Sequence, residues 1–274
     1  MRTVIVIALK EIRESMRNRW VLATTLLLAT LALTLTFVGS APTGHVGASA
    51  LDVVVVSLSS LSVFLIPLIA LLISHDAIVG EAERGTLLLL LSYPLSRWQV
   101  IAGKFIGHIA ILAFATLIGY GAAAGALALT GSIGGAESWP AFAKLIGSSI
   151  LLGAVFVAIG YLISALATER GTAGGIAIGI WLVFVLIYDM ALLGLLVVDQ
   201  GRSVTAGLLN VLLLLNPTDA YRLVNMDGAA ASISGMGGMA SRAAIAPATL
   251  MAALLAWIAA PLTAAMLVFA RKEL

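Results

Sequence analysis

The sequence predicts an all-α integral membrane protein of six transmembrane helices, with an N-terminal amphipathic helix at the membrane surface and a helical hairpin before the last span. Three observations predict it. Six apolar runs stand between charge-bearing segments, at Trp20 to Val38, Val53 to Ser74, Phe105 to Thr130, Leu145 to Thr168, Gly171 to Val198 and Ala243 to Ala270. Each suffices for the ~20 helical residues that cross a ~30 Å hydrocarbon core. Of 274 residues, 61% are hydrophobic and 10% charged, more apolar surface than a soluble domain can bury. The runs are also continuous, as at Leu26 to Leu28 and Val53 to Val56, whereas membrane barrel strands alternate over ~10 residues. Residues 1–274 read as a single membrane domain.

The basic residues fix an expected orientation. With both termini inside, the inner segments hold Arg2, Lys10, Arg13, Arg17, Arg19, Arg84, Arg97, Lys104, Arg170, Arg271 and Lys272, eleven of the fifteen. Lys144, Arg202, Arg222 and Arg242 stay outside, three of them in one long segment where the positive-inside rule has less force. The basic balance thus reads as membrane orientation and not as nucleic-acid binding. With no cysteine, disulfides, thiolate metal sites and cysteine nucleophiles are excluded. A cleaved signal peptide ending near Gly39, Ser40 and Ala41 is disfavoured, because Glu11 and Glu14 sit in its leader and its apolar stretch exceeds the usual ~7–15 residues.

In the leader, residues 1–19, Ile5, Leu9, Ile12 and Met16 recur at helical spacing opposite Lys10, Arg13, Glu14 and Arg17. A helix lying on the inner leaflet is expected; a cytosolic extension of the first span is the alternative.

Residues 75–104 form the longest inner segment. Gly80 to Thr86 nearly matches the phosphate loop GxxxxGK[ST], but Thr86 stands where the lysine belongs, and Glu81 and Glu83 would repel a nucleotide. The chain is not expected to bind ATP in that way. Next comes a leucine run, Leu87 to Leu91, then Tyr93 and Pro94, whose ring should end a helix. Five leucines cannot cross a bilayer. They can form a short helix at the membrane surface or in a partner's groove, or a hairpin packed on the chain's own bundle.

The pattern Glu83, Gly85-Thr86-Leu87, Pro94-Leu95-Ser96-Arg97 and Gly103-Lys104 resembles the segment after the second span in type-2 ABC-transporter permeases. The likeness extends over the chain, and GEAERGTLLLLLSYPLSRWQVIAGKF with LLNPTDAYRL, Leu214 to Leu223, resembles the permeases of transporters that mature nitrous-oxide reductase. The resemblance implies a cytoplasmic coupling helix between spans 2 and 3 and a homodimer bound to two ATPase subunits. It also implies a periplasmic accessory protein as partner and residence in a bacterial cytoplasmic membrane. ATP and Mg would be held by the ATPase and no cofactor by this chain. Carried over by position, Glu81, Glu83, Arg84, Gly85, Thr86, Leu87, Leu88 and Leu91 would serve ATPase coupling, and Pro94, Arg97 and Lys104 would set entry into span 3.

Glycines four apart, Gly103/Gly107, Gly121/Gly125 and the triple Gly171, Gly175, Gly179, permit close helix approach. Span 5 is therefore the expected packing helix, within one chain in preference to between two. Asp189 lies within an apolar run and is an ion-ligand suspect. At ~1.5 Å per residue from Gly171 it falls near the outer interface, and that reading is favoured.

In the outer segment, residues 199–242, Leu208 to Leu215 is too short to span, and Asn216, Pro217, Thr218 and Asp219 can start a helix reaching Arg222. Asn216, Pro217 and Arg222 are candidate contacts for the periplasmic partner. Met226, Met236 and Met239 could suit cuprous ion, but no histidine accompanies them: His45, His75 and His108 lie elsewhere. Loop methionines without metal are the favoured reading.

Three function classes compete. A permease coupling ATP hydrolysis by a partner to motion outside, in copper-site assembly, comes first. The second exports a small solute such as a sulfur species. The third is ATP-independent, a secondary carrier or membrane protease. The spans hold few ionisable groups for a carrier, and the zinc motif HExxH is absent.

Overall fold

The computed structural model describes residues 2–17, 19–39, 50–92, 95–129, 138–199, 204–226 and 245–272. Among the described residues the chain is helical, with no strand. In order, the helices are α1 (Arg2–Met16), α2 (Arg19–Gly39), α3 (Ala50–Ser74), α4 (Val79–Glu83), α5 (Thr86–Leu91), α6 (Arg97–Leu129), α7 (Ser138–Leu166) and α8 (Arg170–Leu182). After a π-helical turn (Val183–Ile187) come α9 (Tyr188–Asp199), α10 (Ala206–Leu215), α11 (Pro217–Asn225) and α12 (Pro247–Arg271). Among the described residues, five stretches are long and apolar enough to cross a membrane: Val53–Glu83, Arg97–Leu129, Trp139–Leu166, Arg170–Asp199 and Pro247–Arg271. A sixth is reached when α1 and α2, bent by 71°, are taken together.

α7 is the central post. Leu152, Val155, Phe156, Val157, Ala158 and Tyr161 are fully buried against α3, α6, α11 and α12. Close approach is enforced at two glycines, neither of which has another glycine four residues away. A Cβ on Gly153 would collide with Leu112 Cδ2, and one on Gly160 with Ser74 Oγ. Seven residues apart, they share one face of α7. By contrast Gly171, Gly175 and Gly179 meet nothing within 4 Å. The expectation that this triple packs inside one chain is not met; it lies on the exposed side of α8, whose buried residues are Ala173 and Ala177. Gly121 and Gly125 are likewise open.

α6 starts at Arg97, ahead of the apolar run, because its first turns are covered by protein. Ser96 caps it, donating its N–H to Gln99 Oε1 at 3.2 Å. The helix ends at this end of the bundle are closed by cations. Arg97 donates to the carbonyls of Phe269 (2.7 Å) and Lys272 (2.6 Å) at the end of α12, and Lys272 Nζ to those of Ala165 (3.1 Å) and Ala167 (2.9 Å) at the end of α7. Arg97 thus ties span 3 to the last span.

At the far end, α11 is buried in the bundle and held by side-chain hydrogen bonds. Ser149 Oγ meets Tyr221 Oη at 2.9 Å, Asn225 Nδ2 donates to Ser148 Oγ at 2.9 Å, and Ser62 joins Ser149 and Tyr120 at 3.2 and 2.5 Å. The π turn explains why α11 begins where it does. A π turn frees a backbone carbonyl, and in an apolar bundle that group needs donors. Asn216 Nδ2 (3.1 Å) and Thr218 Oγ1 (3.2 Å) both donate to the carbonyl of Phe184 within it. Asn216 also accepts from the N–H of Thr218 as the N-cap of α11, with Pro217 in the first turn.

Candidate functional site

The charged end carries the densest polar arrangement among the described residues. Lys104 of α6, 5% exposed in its side chain, stands between two carboxylates that are each 12% exposed. Its Nζ lies 3.2 Å from both oxygens of Glu11 on α1 and 2.8 Å from Glu81 Oε1 on α4. His108, one turn along α6, brings Nε2 to 3.4 Å from Glu11 Oε1, and its Nδ1 lies 3.0 Å from Tyr161 Oη on α7. Burial acts to raise the Glu11 pKa, but the hydrogen bond from His108 and the charge of Lys104 outweigh it and hold the group down at about 2. The cluster therefore joins the N-terminal helix, the short helix after α3 and two core spans.

Sequence places α1 there through Gly103 and Gly107. Cβ atoms at these positions would lie 2.7 Å from Ile7 Cβ and 2.7 Å from Glu11 Cβ, so only glycine lets α1 seat on α6. The buried face of α1 is Ile7, Ala8 and Glu11, while Ile5, Val6, Leu9 and Met16 remain exposed, which splits the apolar residues of the leader between protein and surroundings.

A second set of contacts binds the α3–α5 connection to the start of α8. Arg170 Nη2 donates to Asp76 Oδ2 at 2.7 Å, and the Arg170 N–H to Glu83 Oε1 at 2.7 Å. Ser164 Oγ accepts the N–H groups of Ile78 (2.9 Å) and Val79 (3.1 Å), closing the turn between α3 and α4. Gly85, at φ 71°, ends α4 in the left-handed region that favours glycine. It turns the chain into α5, where Thr86 and Leu89 are exposed.

The expected coupling residues therefore divide. Glu83, Arg84, Gly85 and Thr86 are exposed on the α4–α5 turn. Leu87 is 1% exposed and packs in the core, so its side chain is not a surface contact; Leu89, 67% exposed, is the outward leucine. Glu81 and Lys104 pair inside the bundle, and Arg97 closes α12. Pro94 and the side chains of Leu88 and Leu91 lie outside the described residues. Sequence reasoning missed Glu11, His108, Tyr161, Asp76 and Arg170. Glu11, four residues after Ile7 on an otherwise apolar buried face, was the one legible signal.

At the far end Arg222 pairs with Asp189, and with Asp219 at 3.1 Å. Asp189 is thus one side of an ion pair between α9 and α11. Burial first, and the nearby Asp189 charge second, push the Asp219 carboxyl up to about 7, against the opposing pull of Arg222. Asn216 and Pro217 are buried within the chain, which corrects their expectation as partner contacts. Arg222 is occupied by its two carboxylates. Among the described residues no group of three His, Asp or Glu side chains could hold a metal ion, and Met236 and Met239 lie outside them.

Residues 5–274 match the family described as ABC-2 family transporter protein. The chain is 49% identical, over 98% of its length and 98% of the relative's, to a probable ABC transporter permease protein NosY of Pseudomonas aeruginosa. It is 48% identical over 97% of each chain to a protein of the same description from Stutzerimonas stutzeri.

Proposed function

This chain belongs to the ABC-2 transporter family, and from that premise we propose that it is the membrane subunit of a two-part machine. A partner ATPase docks on the α4–α5 turn, taken as cytoplasmic together with both termini by the distribution of basic residues. Lys104 carries the reading, because it bonds at once to Glu81 beside the docking turn and to Glu11 on the surface helix. Motion imposed on α4 is thereby passed to α1, to α6, and through Glu83 and Asp76 to α8. Two discrete arrangements of such a packed network are what convert a push into a conformational change. The exposed glycine face of α8 suits a second copy of the chain, giving a homodimer.

The likeness to NosY proteins, with the resemblance read in the sequence, supports a role in copper-site assembly of nitrous-oxide reductase. There the far end would act on a periplasmic accessory protein from a bacterial cytoplasmic membrane. Export of a small solute such as a sulfur species is the second reading, favoured by a far-end cavity of about 260 Å³ lined by Ser59, Ser60, Asp189, Arg222 and Asn225. Co-purification tests the docking site: Leu89→Glu with Thr86→Glu should lose the ATPase while the permease stays folded. Undiminished ATPase recovery refutes it. ATP-driven uptake of a sulfur compound into vesicles holding the whole complex would favour the second reading.

A further inference from the structure

We infer that a cavity between α1, α2, α3 and α6 at the charged end binds a zwitterionic phospholipid with a primary-amine headgroup, of the phosphatidylethanolamine class. Its volume is about 500 Å³, within the ~300–1,000 Å³ of small-molecule sites. It has two unlike walls. Val21 of α2, Ile69, Leu72 and Ile73 of α3 and Ile111 of α6 make one side apolar. The other side is ionic, with Arg84 and Arg170 beside the carboxylates Glu14 and Asp76.

The apolar wall belongs to spanning helices and the ionic wall to their ends, the order in which acyl chain and headgroup succeed one another in a leaflet. α1 turns away from α2 by 71°, so with α2 crossing the membrane α1 lies near its plane and roofs the cavity at headgroup depth. The mouth is open: Leu72 is 44% exposed and Glu14 is exposed.

The charges select the headgroup. A phosphodiester wants N–H donors; Arg84 is exposed, and Arg170 uses one Nη on Asp76 and keeps others in a five-donor fork. Glu14 pairs with Lys10 at 3.3 Å, an exposed contact that is worth little and is readily exchanged for a ligand ammonium. A primary ammonium gives three N–H donors to Glu14 and Asp76, which a quaternary choline cannot. An anionic lipid without an amine would leave these carboxylates facing its own charge. Glu11 and His108 also line the cavity, so a bound lipid would lie against the Lys104 cluster.

Native mass spectrometry of the full-length, delipidated permease, titrated with dioleoyl phosphatidylethanolamine, phosphatidylcholine and phosphatidylglycerol, tests this. The ethanolamine lipid should bind at least about tenfold more tightly than the others, the gain of one hydrogen bond to a charged group. Glu14→Gln should erase the preference over choline, Arg84→Gln should weaken both zwitterionic lipids alike, and Leu72→Trp, which adds bulk to the cavity wall and leaves every charged residue in place, should reduce all binding. Equal binding of the three lipids, a preference for phosphatidylglycerol, an unchanged preference in Glu14→Gln, or displacement of the lipid by millimolar inorganic phosphate alone would each overturn the inference.

Discussion

Lys104→Met removes one charge from the interior while keeping a long apolar stem, and its cost can be worked from the cluster. In the native chain Nζ lies 3.2 Å from Glu11 and 2.8 Å from Glu81. Without it, two buried carboxylates whose oxygens lie no farther apart than the sum of those two contacts, about 6 Å, repel by about 3 kcal/mol at an effective dielectric near 20. Breaking a buried pair by deleting one partner costs about 3–5 kcal/mol in comparable cases, and the two figures agree. Glu81 Oε2, already buried without a partner among the described residues, adds no compensating bond. A thermal melt of the purified permease should fall by roughly 10 °C. The absence of cysteine allows a clean single label at Leu9→Cys on the exposed face of α1, and its mobility should rise. Adding Glu11→Gln and Glu81→Gln should restore most of the loss, since replacing all charged partners removes the penalty. A Lys104→Met protein that melts within about 2 °C of the native chain, with the label unmoved, would show that the cluster does not clamp α1.

Glu11, depressed from 4.5 to about 2, contributes stability that is complete above its ordinary pKa and lost as pH falls through about 2, so the Leu9→Cys label should report α1 as docked at about pH 5 as at pH 7. Asp219, raised from 3.8 to about 7, has the opposite sign: its ionised form is disfavoured in the fold, so stability should decline from about pH 4 to 7 and then level, and Asp219→Asn should flatten that slope in melts. Gly107→Val must displace Glu11 and should cost about 1–3 kcal/mol with α1 loosened, whereas Gly175→Val, facing open space in one chain, should leave the melt unchanged and lower the dimer fraction in cross-linking.

Legibility in the sequence depends on which contacts are local. Leu208 to Leu215 and the Asn216-Pro217 start of the next helix are readable because length and capping chemistry are properties of adjacent residues, and α10 and α11 appear there. The spacing of Gly103 and Gly107 points to a real helix contact, but it does not reveal the tighter approaches at Gly153 and Gly160, since which helix face meets a neighbour is decided by the neighbour. Leu87 illustrates the same limit. Nothing in a run of five leucines says which one turns inward, and the positive-φ turn at Gly85 sets that phase.

The sequence by itself determined an all-helical chain with enough apolar runs to cross a membrane, the lack of thiol chemistry and the likeness to a transporter family. The first two depend on composition and periodicity, which are additive along the chain. Only the tertiary structure decided that Glu11, Glu81, Lys104 and His108 form one cluster, that Asp189 is paired with Arg222, and that Asn216 serves a freed carbonyl inside the bundle. Lys104 lies 93 residues from Glu11, and an ion pair over that separation exists only once the helices carrying its ends are packed together in a low-dielectric interior.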